Sequence, residues 1–274
     1  MTELRVVPAR DAPLDSLIRL WERAFGDSAE FVTEFLKLLP EIGIGYAAAF
    51  GEKTVGMAYC ITGLTLKGAG DEIRCGYIYA VATDENFRRQ GIAETLCRRC
   101  AEEARRSGCE IMLVSPANDR LFDYYGRIIG TDRVLKRQAR IYVPENNNTQ
   151  MPKIKALSAE EYNALREKLL AGTPHIALSD RALYLEELIC REYGGELCAV
   201  GQWPAAYYPE GERVLIKELL CPDEFKAAAA GAISARAKTR DALLYSASME
   251  DGEKYLEADS GLYPEKLLCS ILFD

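Results

Sequence analysis

Two periodicities alternate along this chain. Glu3–Pro8 reads as a strand, and Asp11–Phe25 follows with helical spacing. Leu14, Leu17, Ile18, Trp21 and Phe25 share one face, and Gly26 marks the stop. A second amphipathic stretch runs from Ser28 to about Leu39 and is expected to end before Pro40. Ile44–Phe50, Thr54–Leu66 and Ile73–Thr83 predict three strands, separated by turn signals at Gly51-Glu52-Lys53 and Lys67–Asp71. Gly91–Arg106 predicts a long helix, Glu110–Ser115 a short strand, Asp119–Ile128 a helix and Arg133–Val143 a strand.

The polar, turn-rich segment 144–153 carries no period and reads as a linker. A second round then starts. Ile154–Ala156 predicts a strand, Ser158–Leu170 a helix opened by a Ser158-x-x-Glu161 capping box, and Asp180–Tyr193 another helix. Gly195–Gly201, Ala205–Tyr208 and Val214–Cys221 predict strands, and Asp223–Lys238 an alanine-rich helix with Asp223 as its cap. Leu243–Ala247, a short helix near Gly252–Ala258 and a strand Lys266–Phe273 complete the pattern. The order of elements repeats that of the first half without a matching sequence. The expectation is an α/β (α+β) chain of two mixed-sheet domains, 1–143 and 154–274.

Charge separates the halves. The net charge of −8 falls entirely after residue 143, because residues 1–143 hold 20 basic and 20 acidic side chains. An acidic chain of this kind argues against a general nucleic-acid binder. No apolar run approaches the ~18 residues of a membrane span, and Met1–Asp15 lacks the apolar core of a secretion signal. A cytoplasmic protein with no membrane partner is expected. Nine scattered cysteines suit a reducing compartment. Cys97 and Cys100 spell CxxC, but both fall on the apolar stripe of the predicted helix, so packing is expected there and no metal.

The segment Cys75–Thr131 carries the candidate chemistry. The strand Tyr77–Thr83 leads through Asp84-Glu85-Asn86-Phe87 into Arg88-Arg89-Gln90-Gly91-Ile92-Ala93, which opens a helix. The first amides of a helix have no partner within it and carry the positive end of its dipole, so they suit an anion such as a pyrophosphate. Gly91 would let backbone approach closely, Ala93 keeps the next position small, and Arg88 and Arg89 add counter-charge.

This arrangement resembles the acyl-CoA-binding core of the GNAT superfamily of N-acetyltransferases. Arg88, Gly91 and Ala93 sit at the three specified places of its [QR]-x-x-G-x-[GA] signature, and Ile111–Ser115, Asn118 and Leu121–Tyr125 follow in the family's order. The resemblance implies two GNAT-like domains in tandem, with acetyl-CoA as donor and direct transfer to an amine. It implies that the backbone of Val81, Ala82 and Thr83 pairs with the pantetheine arm. Backbone from Arg89 through Gln90, Gly91, Ile92 and Ala93 would hold the pyrophosphate. Asn118 would meet the cofactor arm, and Tyr125 would protonate the departing thiolate.

The sequence departs from the family in two places. At the helix end Ile129 stands where a glycine is usual and Gly130 where an aromatic is, and Tyr79 stands where many members carry a glutamate on the strand. A water chain, a carboxylate from elsewhere, such as one near the end of Leu268–Phe273, or an amine already neutral would then serve as base. His175, the sole histidine, lies in a predicted loop. In the second half, Cys221-Pro222-Asp223-Glu224 replaces the basic glycine turn, so that domain reads as a degenerate copy that does not bind CoA and helps to shape an acceptor pocket. The acceptor expected is a small cationic amine. A protein or peptide acceptor, or a CoA-binding regulatory module without catalysis, is the alternative.

Overall fold

The computed structural model describes residues 3–68, 70–130, 133–143, 151–248 and 253–257. These divide into two units. Residues up to 66, 71–134 and 255–257 build the first, and 67–70, 135–248 and 253–254 build the second. The predicted linker lies largely, and the predicted strand Lys266–Phe273 entirely, outside the described residues.

The first unit contains β1 (Leu4–Pro8), α1 (Leu14–Phe25), α2 (Ala29–Ile42), β2 (Gly43–Phe50), β3 (Lys53–Lys67), β4 (Ile73–Thr83), α3 (Ile92–Arg106), β5 (Ile111–Val114) and α4 (Phe122–Ile129). Its strands lie in the order β1-β2-β3-β4-β5, and a strand from near the chain's end, Glu253–Glu257, pairs antiparallel with β5 through Leu256↔Val114. Among the strand pairs whose register is described, β4 and β5 run parallel, joined by the crossover helix α3. One face of α3 (Leu96, Cys97, Cys100, Ala101, Ala104) packs on Ala58, Cys60, Ile78 and Met112 to form the core on that side. Trp21 and Phe35 stack with Tyr59, their ring centroids 4.9–5.4 Å apart, and bind α1 and α2 to the sheet.

The second unit contains β6 (Arg133–Tyr142, from Leu135 on), β7 (Ile154–Ala156), α5 (Ala159–Leu170), β8 (His175–Leu178), α6 (Asp180–Glu192), β9 (Glu196–Val200), β10 (Trp203–Glu210), β11 (Arg213–Leu219), α7 (Asp223–Ala237) and β12 (Asp241–Ser248). The order is β6-β12-β11-β10-β9-β7, and only β11 and β12 run parallel. The antiparallel run, parallel step and crossover helix of the first unit are therefore repeated. The strand at 253–257 is β13.

Four expectations change. Pro40 lies inside α2, which runs on to Ile42. The amide that proline lacks is one lost hydrogen bond, offset by burial of Leu38, Leu39 and Ile42. The short helix expected near 252–258 is instead β13, because ladder bonds to β5 override weak local propensity. His175 opens a buried strand rather than lying in a loop. Asp223 is the first residue of α7, with Pro222 at the cap position, and its carboxylate pairs with Lys226 at 2.7 Å.

The capping box at α5 is complete. Ser158 Oγ accepts from the Glu161 amide at 3.2 Å and Glu161 accepts from the Ser158 amide at 3.1 Å. Ser158→Ala is expected to cost about 1 kcal/mol and lower Tm by about 2–4 °C in a calorimetric melt. An unchanged Tm would show that the cap adds nothing here.

Candidate active site

The parallel ladder between β4 and β5 closes at Ile78↔Val114, yet β4 runs on to Thr83. Its other edge stays paired with β3 as far as Thr83↔Gly56. Among the described residues β4 thus runs on past its ladder with β5, and its last residues, Ala80–Thr83, lie beyond the end of that ladder. Within that stretch β4 bulges, with Ala80 and Val81 opposing Ala58 alone. Ala80 takes a φ of 46°. A left-handed alanine costs about 1–2 kcal/mol, and the ladder on both sides of the bulge holds it in place.

Beyond Thr83 the chain makes a tight turn at Glu85–Phe87, capped by Asp84, and then Arg89 and Gly91 take φ values of 62° and 75°. Backbone of this alternating kind gathers successive amides into a concave nest. No side chain caps α3, and its ladder opens with the Thr95 amide donating to Gly91 O at 2.9 Å. A Cβ on Gly91 would meet no atom within 4 Å, so this glycine serves the left-handed backbone and leaves the mouth of the helix bare. Gly56 serves a different end. A Cβ there would lie 2.5 Å from Ile92 Cγ2, so its absence lets the first turn of α3 settle on β3.

A cleft of about 310 Å³ opens at this point. Of the predicted residues, Thr83, Arg88, Arg89, Gly91, Ile92 and Ala93 line it, and Phe87, Glu94 and Tyr124 complete the wall. Arg88 and Arg89 are exposed, and Arg88 Nε donates to Thr83 O at 3.4 Å. Glu94 is paired with Arg98 at 2.9 Å, which limits its repulsion of an anion.

Residues 12–130 match the family described as the acetyltransferase (GNAT) family. Residues 12–130 therefore form a domain of the GNAT acetyltransferase family. A GCN5-related N-acetyltransferase from Kribbella flavida is 15% identical, with a TM-score of 0.62 over 94% of this chain and 70% of that one. A conserved protein from Enterococcus faecalis, named a probable N-acyltransferase, is 14% identical, with a TM-score of 0.65 over 94% and 71%. A GCN5-related N-acetyltransferase from Anabaena variabilis is 11% identical, with a TM-score of 0.62 over 93% and 72%. At these identities the likeness is one of fold. No curated protein sequence matches the chain.

The GNAT unit distributes the remaining predicted residues differently. Val81 is half-buried against the α3 core and Ala82 is buried. Gln90 is exposed, with its amide donating to Asn86 O at 3.5 Å. Asn118 is also exposed, and its side chain caps the turn Asp119–Leu121 by accepting from the Arg120 amide at 3.2 Å. The Tyr125 ring is buried in the core beside Cys97, whereas the half-buried Tyr124 reaches the cleft. Burial, reinforced by Cys97 and Glu94, pushes the Tyr124 phenol up to about 12. The two rings meet edge to face at 5.1 Å.

The CxxC thiols are packing groups. Cys97 and Cys100 are buried, Cys100 donates to Ala58 O at 3.3 Å, and burial pushes its thiol up to about 12. His175 lies in the second unit, with Nδ1 2.7 Å from Thr173 O and Nε2 3.3 Å from Glu167. That unit repeats the β4 bulge at Lys217 of β11, since Ala206 pairs with Glu218 and Tyr207 with Ile216. Buried ion pairs fill the place. Lys217 meets Glu186 at 3.0 Å, and Glu218 meets Arg166 at 3.0 Å and the Tyr162 hydroxyl at 2.7 Å.

Among the described residues no helix is long and apolar enough to cross a membrane.

Proposed function

We propose that this chain transfers an acetyl group from acetyl-CoA directly to a primary amine of a small cationic molecule. One observation carries the reading: β4 runs on past its ladder with β5 and leads, through a turn with Gly91 at positive φ, to a helix start lined by the cleft. When bound, acetyl-CoA supplies a thioester carbon open to attack by an amine. The amides from Arg89 to Ala93 bind the pyrophosphate, with Arg88 and Arg89 as counter-charges. The backbone of Val81–Thr83 aligns the pantetheine arm and offers an amide donor to the carbonyl oxygen. Tyr124 holds a proton at Oη through neutral pH and stands in the cleft wall as the proton donor, in preference to the buried Tyr125.

The net charge of −8 favours a cationic acceptor by raising its local concentration. The second unit's filled bulge, and the Asp223–Lys226 pair at the start of α7, support the reading of a copy that does not bind CoA. Tyr79 on β4 favours a second reading, a CoA-binding module without turnover, because a carboxylate base is missing from that strand. The test is calorimetric titration with CoA, then thiol release from acetyl-CoA across a panel of primary amines. Saturable binding with release on at least one cationic amine is expected. Binding without release on any amine would favour the module, and no binding would overturn both readings.

A further inference from the structure

Asp84 is a charged side chain that the chemistry above leaves unused, although it sits between β4 and the phosphate loop. Its side chain is 2% exposed. Lys53 Nζ, from the start of β3, donates to its Oδ2 at 2.8 Å. Arg23 Nη2, from the last turn of α1, reaches the same oxygen at 3.3 Å. The Asn86 amide and side chain donate to Oδ1 at 3.1 and 3.3 Å, and the Asp84 amide itself donates to Val55 O at 2.8 Å. One carboxylate therefore ties α1, β3 and the turn that carries Phe87 and Arg88 into the cleft. The hydrogen bond from Lys53 holds this carboxyl below its ordinary range. Lys53 also lies 5.7 Å over the Phe87 ring, whose other neighbour is Phe50 at 5.5 Å.

A buried anion a few residues before an anion-binding loop is unfavourable to the ligand unless it does something that outweighs its charge. Here two cations neutralise it, and what it returns is a fixed course for Glu85–Arg89. We propose that Asp84 is a positioning residue for the nucleotide end of the donor: it holds the Glu85–Arg89 turn so that the amides and guanidinium groups beyond it face the diphosphate. This rests on the reading of the cleft as an acetyl-CoA site. The pantetheine end, aligned by β4 itself, is independent of the clamp.

Calorimetric titration of the full chain with CoA, 3′-phospho-ADP and pantetheine tests this. The variants are Asp84→Asn, Lys53→Gln and Arg23→Gln. Asp84→Asn is expected to weaken CoA and 3′-phospho-ADP about tenfold or more, with pantetheine binding unchanged. In turnover, KM for acetyl-CoA should rise by the same factor while kcat stays within about twofold. Lys53→Gln should weaken the same two ligands less, and Arg23→Gln least, following the two distances. Both remove only half-exposed or exposed cations, so they carry the test if Asp84→Asn does not fold. Equal loss for all three ligands would mark a merely structural role and overturn the proposal. Tighter CoA binding by Asp84→Asn would do the same, since it would show that charge outweighs positioning. Wild-type protein that binds no CoA would instead overturn the acetyl-CoA reading itself, whereas wild-type binding matched by all the variants overturns only the clamp.

Discussion

Replacing Gly91 by valine is expected to cut affinity for CoA at least a hundredfold in a protein that still folds. Two effects act at this position, and they fall on different states. The φ of 75° places any L side chain in the left-handed region, and a β-branched one pays more than the ~1–2 kcal/mol typical there. That cost is felt with or without ligand, and shows as a fall in Tm of several degrees. The second effect appears only on binding. Among the described residues no atom lies within 4 Å of the position a Cβ would take, so an added Cβ meets no clash in the folded protein. The added carbons project instead at the mouth of α3, where a diphosphate must reach the amides. Gly91→Ala should show most of the Tm loss and a smaller part of the affinity loss. Titration of both variants, with melts alongside, checks the split. Valine binding CoA as well as wild type would remove the helix mouth from the site.

Tyr124→Phe is expected to lower kcat about a hundredfold, within the range typical of lost acid–base assistance, and to leave the Kd for CoA within about twofold. Tyr125→Phe should change kcat by less than threefold, because that ring lies in the core. The pH profile adds a second reading of the same group. A donor must keep its proton to work, and the Tyr124 phenol sits near 12. The wild-type rate should therefore show no decline assignable to this tyrosine until pH exceeds about 10, even where its ordinary value would start the fall earlier. Steady-state kinetics between pH 7 and about 10 give both measurements. A large loss in Tyr125→Phe with none in Tyr124→Phe would return the role to Tyr125.

Which of the two tyrosines lines the cleft shows where a sequence stops being legible. The motif spacing pointed to Tyr125, but neighbouring helical residues point about 100° apart, and the phase of α4 is set by the tight turn Asp119–Leu121 before it. No local pattern encodes that phase. The Arg88–Ala93 turn is readable because its features are local: a glycine, two arginines and a helix start within six residues. β4 was placed from Ile73 to Thr83 by its alternation alone. Its bulge was not, since nothing in Ala80 or Val81 announces a left-handed alanine, and the slip depends on how Ala58 pairs across the ladder. The clamp on Asp84 is illegible for a related reason: its partners Arg23 and Lys53 are 61 and 31 positions away, brought to it only by the packing of α1 and β3. Pro40 was a stop signal by composition, and three buried apolar side chains around it outweighed that signal.

The pairing of β6 with β12, and of β13 with β5, means that neither half of the gene encodes a finished body. A nascent chain that has just passed residue 143 holds a strand destined for a sheet not yet made, and lacks one that its own sheet will need. Its outer margin stays open until Glu253–Glu257 has been synthesised.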